Sequence, residues 1–131
     1  MRIEAYFERV KNLVENCPFV QLSDLTYEKR GTYEGFVHGE VIFVDNSVLH
    51  LREYVDVEME TTAERLMYVY HYVDGKQEFQ FRYDDTGHHQ DLKFPTYPHH
   101  KHDSSEKNVL SSSAPDLAAV LDEIQGLIVI P

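Results

Sequence analysis

Hydrophobic positions near the start of the chain repeat with the period of a helix. In residues 2–15 the apolar side chains recur at spacings of three and four, so that they form one stripe. Pro18 follows closely and disfavours helical geometry at Cys17. The pattern therefore predicts an N-terminal helix that packs by one face and ends before Cys17.

From residue 19 onwards apolar and polar side chains alternate, which predicts strands. The pattern gives one strand over residues 19–29 and a hairpin of residues 36–44 with residues 49–59. Glu53 breaks the alternation, because it places a carboxylate on the apolar face of the third strand. Two interpretations stay open: a rim position where Glu53 remains in water, as ionised glutamates usually do, or a site residue that faces a pocket.

The turn of this first hairpin sets its register. A three-residue loop at residues 45–47 pairs Val41 with Leu51 and Phe43 with Leu49, so that apolar residues oppose apolar residues. A two-residue loop would instead place two glutamates opposite each other, which is unfavourable. The sequence therefore predicts the three-residue loop.

A second hairpin is predicted around the dipeptide Asp74-Gly75, which favours a two-residue type I′ turn. This turn pairs Tyr70 with Phe79 and places His71 opposite Glu78. Residues 66–73 and 76–84 are thus expected to be neighbouring strands with their aromatic side chains on one face. We expect this hairpin to be the rigid platform for any site that follows it.

Regular structure is predicted to end at Asp84. Residues 85–107 contain two prolines and five histidines, and irregular segments of that length are usually functional or disordered. A second helix is expected to begin with Ser113 as its N-cap and Asp116 in its first turn, and to stop at Gly126.

The predicted architecture is an α+β fold that forms a single domain of residues 1–131. An antiparallel sheet of about five strands is arranged as a hairpin meander, and an N-terminal and a C-terminal helix pack on it.

Composition narrows the function classes. The 131 residues carry a formal net charge of −11, which repels nucleic acids and anionic membranes at long range. An RNA-processing enzyme with one locally cationic site stays compatible with this charge, and so does a basic protein partner. The lone Cys17 excludes an internal disulfide, and no apolar run is long enough to span a bilayer, so a cytoplasmic protein with no membrane contact is expected.

The histidine-rich segment of residues 88–102 holds the candidate chemistry, and three interpretations compete. Imidazoles could bind a divalent metal ion with Asp84 or Asp85, although the spacing matches no known metal motif. Paired imidazoles could act as acid and base in metal-free RNA cleavage, because histidine titrates near neutral pH. The histidines could also be polar residues of a solvated loop.

Arg82 and Asp84 lie on one face of the strand that leads into this segment. They could form a surface ion pair that stabilises the fold by only about 0–1 kcal/mol. Alternatively, Arg82 binds a phosphate or carboxylate with its guanidinium fork and Asp84 orients a neighbouring histidine. We expect the two histidine pairs, near residues 88 and 100, to converge across a cleft, because prolines and aromatic residues fold the chain between them back.

The segment that runs FRYDDTGHH from Phe81, followed by FPTYPHHKH from Phe94, resembles the signature of the TumE family of toxins from prokaryotic toxin–antitoxin systems. That signature is roughly F-R-Y-D-N-A-P-H-H and then F-P-H-H-K-H. Residues 45–54 also resemble the family's D-G-S-x-L-x-x-x-E segment. Asp85, Thr86 and Gly87 depart from the pattern, as do Asn46 at the turn and the wider spacing around Tyr97.

The resemblance implies the toxin of a type II pair, neutralised by a cognate antitoxin with a helix-turn-helix domain. Many such toxins are ribonucleases, so RNA is the expected substrate. No resident cofactor is expected, and a divalent metal ion bound by the histidines is the alternative. The protein could also form a homodimer. A non-enzymatic or metal-binding interaction module is the competing function. The predicted catalytic residues are His88, His89, His100, His102 and Asp84, and the predicted substrate-binding residues are Arg82, Lys101, Tyr97 and His99.

Overall fold

A computed structural model of the protein describes residues 1–59, 64–85, 100–103, 109–111 and 115–128. Within these residues, seven strands form one sheet in chain order, and each strand is antiparallel to the next, so the sheet is a meander. One helix precedes the sheet and one follows it, which confirms the predicted α+β fold. The elements are α1 (Ile3–Glu15), β1 (Val20–Lys29), β2 (Glu34–Phe43), β3 (Val48–Asp56), β4 (Glu64–Val73), β5 (Phe79–Asp84), β6 (His100–Asp103), β7 (Val109–Ser111) and α2 (Leu117–Gln125).

Helix α1 packs on β1 and β2 by the stripe that its sequence predicts. The stripe consists of Ile3, Tyr6, Val10 and Val14, all of which are buried. Gly35 on β2 makes the close approach of the helix feasible, because a Cβ atom there would lie only 2.5 Å from the Phe7 ring.

Helix α2 begins one turn later than the sequence suggests. Asp116 is its N-cap, and the Asp116 carboxylate accepts a hydrogen bond of 2.9 Å from the Ala119 backbone N–H. The predicted N-cap at Ser113 is therefore wrong: Asp116 has extended backbone geometry and a side chain that satisfies a free N–H of the first turn. The predicted stop at Gly126 is confirmed. The buried face of α2 consists of Leu117, Val120, Leu121 and Ile124.

The register of the β2–β3 hairpin differs from the prediction by two residues. Val41 pairs with Leu49 rather than with Leu51. The reason lies in the turn, where Asn46 takes the left-handed conformation with φ 67° and Asp45 accepts the Ser47 backbone N–H at 3.0 Å. Asparagine tolerates that conformation better than most residues, so the three-residue loop covers residues 44–46.

The β4–β5 hairpin is confirmed as a pair of neighbouring strands, but its register is also shifted. Tyr70 pairs with Tyr83 instead of Phe79. The Asp74 side chain accepts the backbone N–H of Glu78, and Gln77 takes a positive φ of 63°, which lengthens the turn beyond two residues. The shift is an even number of residues, so Tyr70 and Tyr83 still lie on the core face.

Strand β6 lies in the segment that was predicted to lack regular structure, so that prediction is wrong for residues 100–103. Its side chains are histidine, lysine and aspartate, and they give no hydrophobic period to recognise. With β6 and β7, the described part of the sheet has seven strands, two more than the predicted number of about five.

Candidate functional site

Three side chains from β5 and β6 meet on one face of the sheet. Arg82 and Asp84 lie two positions apart on β5, and the Arg82 Nε donates to the Asp84 Oδ2 at 2.9 Å. Strand β6 places His102 directly opposite Arg82. The His102 Nε2 lies 3.1 Å from a terminal nitrogen of Arg82 and 3.6 Å from the Asp84 Oδ2. These residues are called the Arg82–Asp84–His102 cluster below.

Burial differs within the cluster. Asp84 and His102 are 2% and 1% exposed, whereas the Arg82 side chain is 22% exposed. A guanidinium only donates hydrogen bonds, so the His102 Nε2 is the acceptor and a neutral His102 carries its ring proton on Nδ1. Arg82 is thus the member of the cluster that a ligand can reach first, and the other two hold it in place.

The row of side chains continues across the sheet. His71 on β4 lies opposite Arg82, and His50 on β3 lies opposite His71, with 5.6 Å between the two ring centroids. Neither histidine was among the predicted site residues. Strand alternation places His71 on the face of Arg82, but the predicted register put it opposite Glu78, so its position beside Arg82 was missed.

Lys101 lies on the opposite face from its neighbour His102. Its ammonium group is 2.9 Å from the Glu123 Oε2 of α2 and 5.0 Å from the centre of the Tyr83 ring. Burial lowers the pKa of Lys101, but hydrogen bonds to Glu123 and Tyr83 and the Glu123 charge outweigh it, so that the pKa is raised. The structure therefore brings Arg82, Asp84 and His102 together and separates Lys101 from them.

The other predicted site residues lie at or beyond the edge of what the structure describes. The backbone of His100 pairs with Asp84 on one side and with Ser111 on the other. The predicted convergence of the two histidine pairs falls outside the described residues and stays a prediction. So do the predicted roles of His88, His89, Tyr97 and His99.

Two features bear on other classes of function. Among the side chains that the structure describes, no three histidine, cysteine or acidic residues are grouped so that they could hold a metal ion. Within the same ranges, neither helix has the length and apolar character needed to cross a membrane.

Comparison with models of known protein families gives a match over most of the chain. A family model described as Toxin TumE matches residues 10–128, a range that includes the whole Arg82–Asp84–His102 cluster and both flanking strands. Searches of the curated proteins and of the solved structures found no match.

Proposed function

Because the chain belongs to the TumE family of toxins, we propose that it is the toxin of a type II toxin–antitoxin pair and that it cleaves RNA without a metal ion. The observation that carries the proposed reaction is the Arg82–Asp84–His102 cluster. It joins a partly exposed guanidinium to a carboxylate and an imidazole on one face of the sheet.

Arg82 is the proposed phosphate-binding residue. Its planar guanidinium matches the oxygens of a phosphate, and the ion pair with Asp84 fixes its direction. In the unbound protein one of its nitrogens donates to His102, which is a neutral acceptor in that arrangement. A phosphate carries negative charge and competes for the same nitrogen. Binding of RNA would then release the His102 Nε2 for proton transfer.

In the proposed reaction one imidazole takes the proton of a 2′-hydroxyl, whose oxygen attacks the adjacent phosphorus. The bond from phosphorus to the 5′-oxygen breaks, and a second imidazole gives that oxygen a proton. The products are a 2′,3′-cyclic phosphate and a 5′-hydroxyl. His102 is proposed as one of the two imidazoles, with Asp84 close enough to stabilise its charged form, and Arg82 holds the charge that grows on the phosphate. The other imidazole is proposed from His88, His89 and His100, with Tyr97 and His99 at the substrate.

RNA degradation by the purified protein in excess chelator tests the reaction. The expected result is cleavage that leaves 2′,3′-cyclic phosphate ends, and a loss on the order of a hundredfold or more in His102→Ala and Arg82→Gln. The matched control is His38→Ala, a partly exposed histidine of β2, which should keep full activity. Cleavage that requires added metal would overturn the metal-free mechanism, and bound metal without cleavage would overturn the proposal in favour of a metal-binding module.

The proposed partner is a cognate antitoxin with a helix-turn-helix domain. Expression of this chain alone should stop growth, and co-expression of a small helix-turn-helix protein encoded next to it should restore growth. The two proteins should then co-purify. If His102→Ala is well folded and still stops growth, toxicity does not depend on the cluster.

A further inference from the structure

Strand β1 is an end strand of the described sheet, because it pairs with β2 and with no other strand in the described ranges. The ladder between them continues past Lys29, since the Arg30 backbone N–H donates to the Glu34 carbonyl at 2.9 Å. Hydrogen-bonded and non-hydrogen-bonded pairs alternate along an antiparallel ladder. Alternate residues of β1 therefore point their backbone N–H and C=O groups away from β2. These residues are Ser23, Leu25, Tyr27 and Lys29.

The outer edge of β1 is able to take up a further strand, because its outward backbone groups are a template for pairing. A proline on the edge would hinder such pairing, and β1 contains none. A bulge also hinders pairing, but the bulge of β1 lies at its beginning, between Val20 and Leu22. Residues 23–30 thus form an edge of continuous register.

One carboxylate beside this edge has an unfavourable neighbour. Asp24 is exposed and lies opposite Glu40 of β2, and like charges at directly opposed positions are destabilising. Glu40 has the His50 imidazole 3.2 Å away on its other side. Within the described part of the chain, Asp24 has no ion pair or side-chain hydrogen bond of its own. A cation on a strand added at the outer edge would offset the repulsion.

A second copy of β1 can supply that cation, and the charges of the strand select the register. Two antiparallel copies are related by a two-fold axis, which passes through a residue of the strand because outward residues must pair with outward residues. An axis at residue 24, 26, 28 or 29 places like charges opposite each other, and an axis at Leu25 pairs no charges. An axis at Tyr27 places Asp24 opposite Arg30 of the second copy, and symmetry repeats that pair.

We propose that two copies of this chain form a dimer through the outer edge of β1, with the two-fold axis at Tyr27, so that one sheet continues into the other. Asp24 then meets Arg30 of the second copy in a non-hydrogen-bonded pair, where side chains approach most closely. Arg30 is exposed and lies 3.0 Å from Glu28 on the same face, so its guanidinium is already held beside the edge. The proposal does not depend on the proposed ribonuclease, because four strands separate β1 from the Arg82–Asp84–His102 cluster on β5 and β6.

Sedimentation equilibrium of the intact protein tests the charge pairs. The unmodified protein should form a dimer that dissociates on dilution, because a single strand pair buries less area than a standard interface. Asp24→Arg places like charges opposite each other at both ends of the ladder, so it should raise the dissociation constant of the dimer on the order of tenfold. Asp24→Arg combined with Arg30→Asp reverses both charges and should restore the dimer. The control is Glu58→Arg, at an exposed position after β3, which should leave the dissociation constant unchanged.

Disulfide trapping tests the register without any charge reversal. In a Cys17→Ser background, Thr26→Cys of one copy lies directly opposite Glu28→Cys of the other, so a mixture of the two variants should cross-link on oxidation. Each variant alone should not, because equivalent positions lie diagonally, about 7–8 Å apart, beyond the usual reach of a disulfide. Cross-linking of Thr26→Cys with itself would overturn the register. A monomer at every concentration up to about 1 mM, or a dimer that Asp24→Arg does not weaken, would overturn the proposal.

Discussion

Two tyrosine hydroxyls in the protein interior have unusual proton affinities. Tyr6 and Tyr70 both donate to Glu53. Burial raises the pKa of each phenol above its ordinary value of 10.0, and the adjacent charge of Glu53 raises it further. Burial also raises the pKa of Tyr68, although the Arg65 charge opposes that shift. These phenols therefore stay protonated in the folded protein at pH values where an unfolded chain loses their protons.

The sign of the resulting pH dependence follows from linkage. A raised pKa in the folded state gives a contribution to stability that is complete below pH 10.0 and is lost progressively as the pH rises above it. We expect the urea midpoint to fall steeply above about pH 10. The sequence has nine tyrosines. The phenolate absorbance of the folded protein should show that fewer than nine of them lose their protons in that pH range.

Tyr6→Phe is the informative variant for this pH dependence. It should be less stable at neutral pH, because Glu53 loses one hydrogen bond. Its further loss of stability above pH 10 should be shallower than that of the unmodified protein, since one raised pKa has been removed. Titration of all nine phenols together in the folded protein would contradict the account.

At the scale of single residues, the sequence could predict contacts within one strand but not contacts between strands. Arg82 and Asp84 were expected on one face because they are two positions apart, and they do form an ion pair. Strand alternation also singled out Glu53 as a carboxylate on the apolar face. Glu53 is 1% exposed, so the interpretation as a rim position in water is wrong. Its burial depends on hydrogen bonds from Tyr6 and Tyr70, which come from other elements and which the sequence pattern does not reveal.

At the scale of elements, a period of two identifies the face of a strand but not its register. A shift by two or four residues leaves every side chain on the same face, which is why the aromatic face of β4 and β5 was predicted correctly while both hairpin registers were wrong. Local turn geometry decided the register through Asn46 and Gln77, and a glutamine with a positive φ has no recognisable sequence signal. His102 meets Arg82 only because β6 pairs with β5, and no hydrophobic pattern marks β6.

The docking of α2 on β5 and β6 gives a prediction at this scale. Glu123 on the helix binds both the Lys101 ammonium and the Tyr83 hydroxyl. Lys101→Gln should lower the free energy of unfolding by about 1 kcal/mol, as expected for a partly buried ion pair. Its RNA cleavage should be unchanged, because Lys101 lies on the face opposite the Arg82–Asp84–His102 cluster.

The matched variant is Glu123→Gln, and the double variant completes the cycle. If the two residues stabilise the fold through each other, the double variant should lose less stability than the sum of the single losses. Lys101→Gln with unchanged stability and abolished cleavage would show instead that Lys101 contacts the substrate, as the sequence predicted.

For the whole molecule, a net charge of −11 limits how RNA can bind. Each phosphate contact to single-stranded RNA adds about −0.7 to the slope of a plot of log association constant against log salt concentration. With Arg82 as the proposed phosphate ligand, we expect a shallow slope of about −0.7 to −1.4. Arg82→Gln should reduce it by about 0.7. The control variant is Arg52→Gln, which changes an exposed arginine of β3 and should leave the slope unchanged. A steep slope in every variant would indicate that RNA binds to a broad basic surface elsewhere.

The meander order of the sheet also has a consequence for the timing of synthesis. Every strand pairs with its neighbour in the chain, so β1 to β4 can assemble while the ribosome is still translating the rest. The Arg82–Asp84–His102 cluster cannot close until residues 100–103 have emerged. A chain that is truncated before residue 100 would therefore contain much of the sheet but would lack the proposed toxic centre. An antitoxin that recognises the early strands would have time to bind before the toxin it must restrain becomes active.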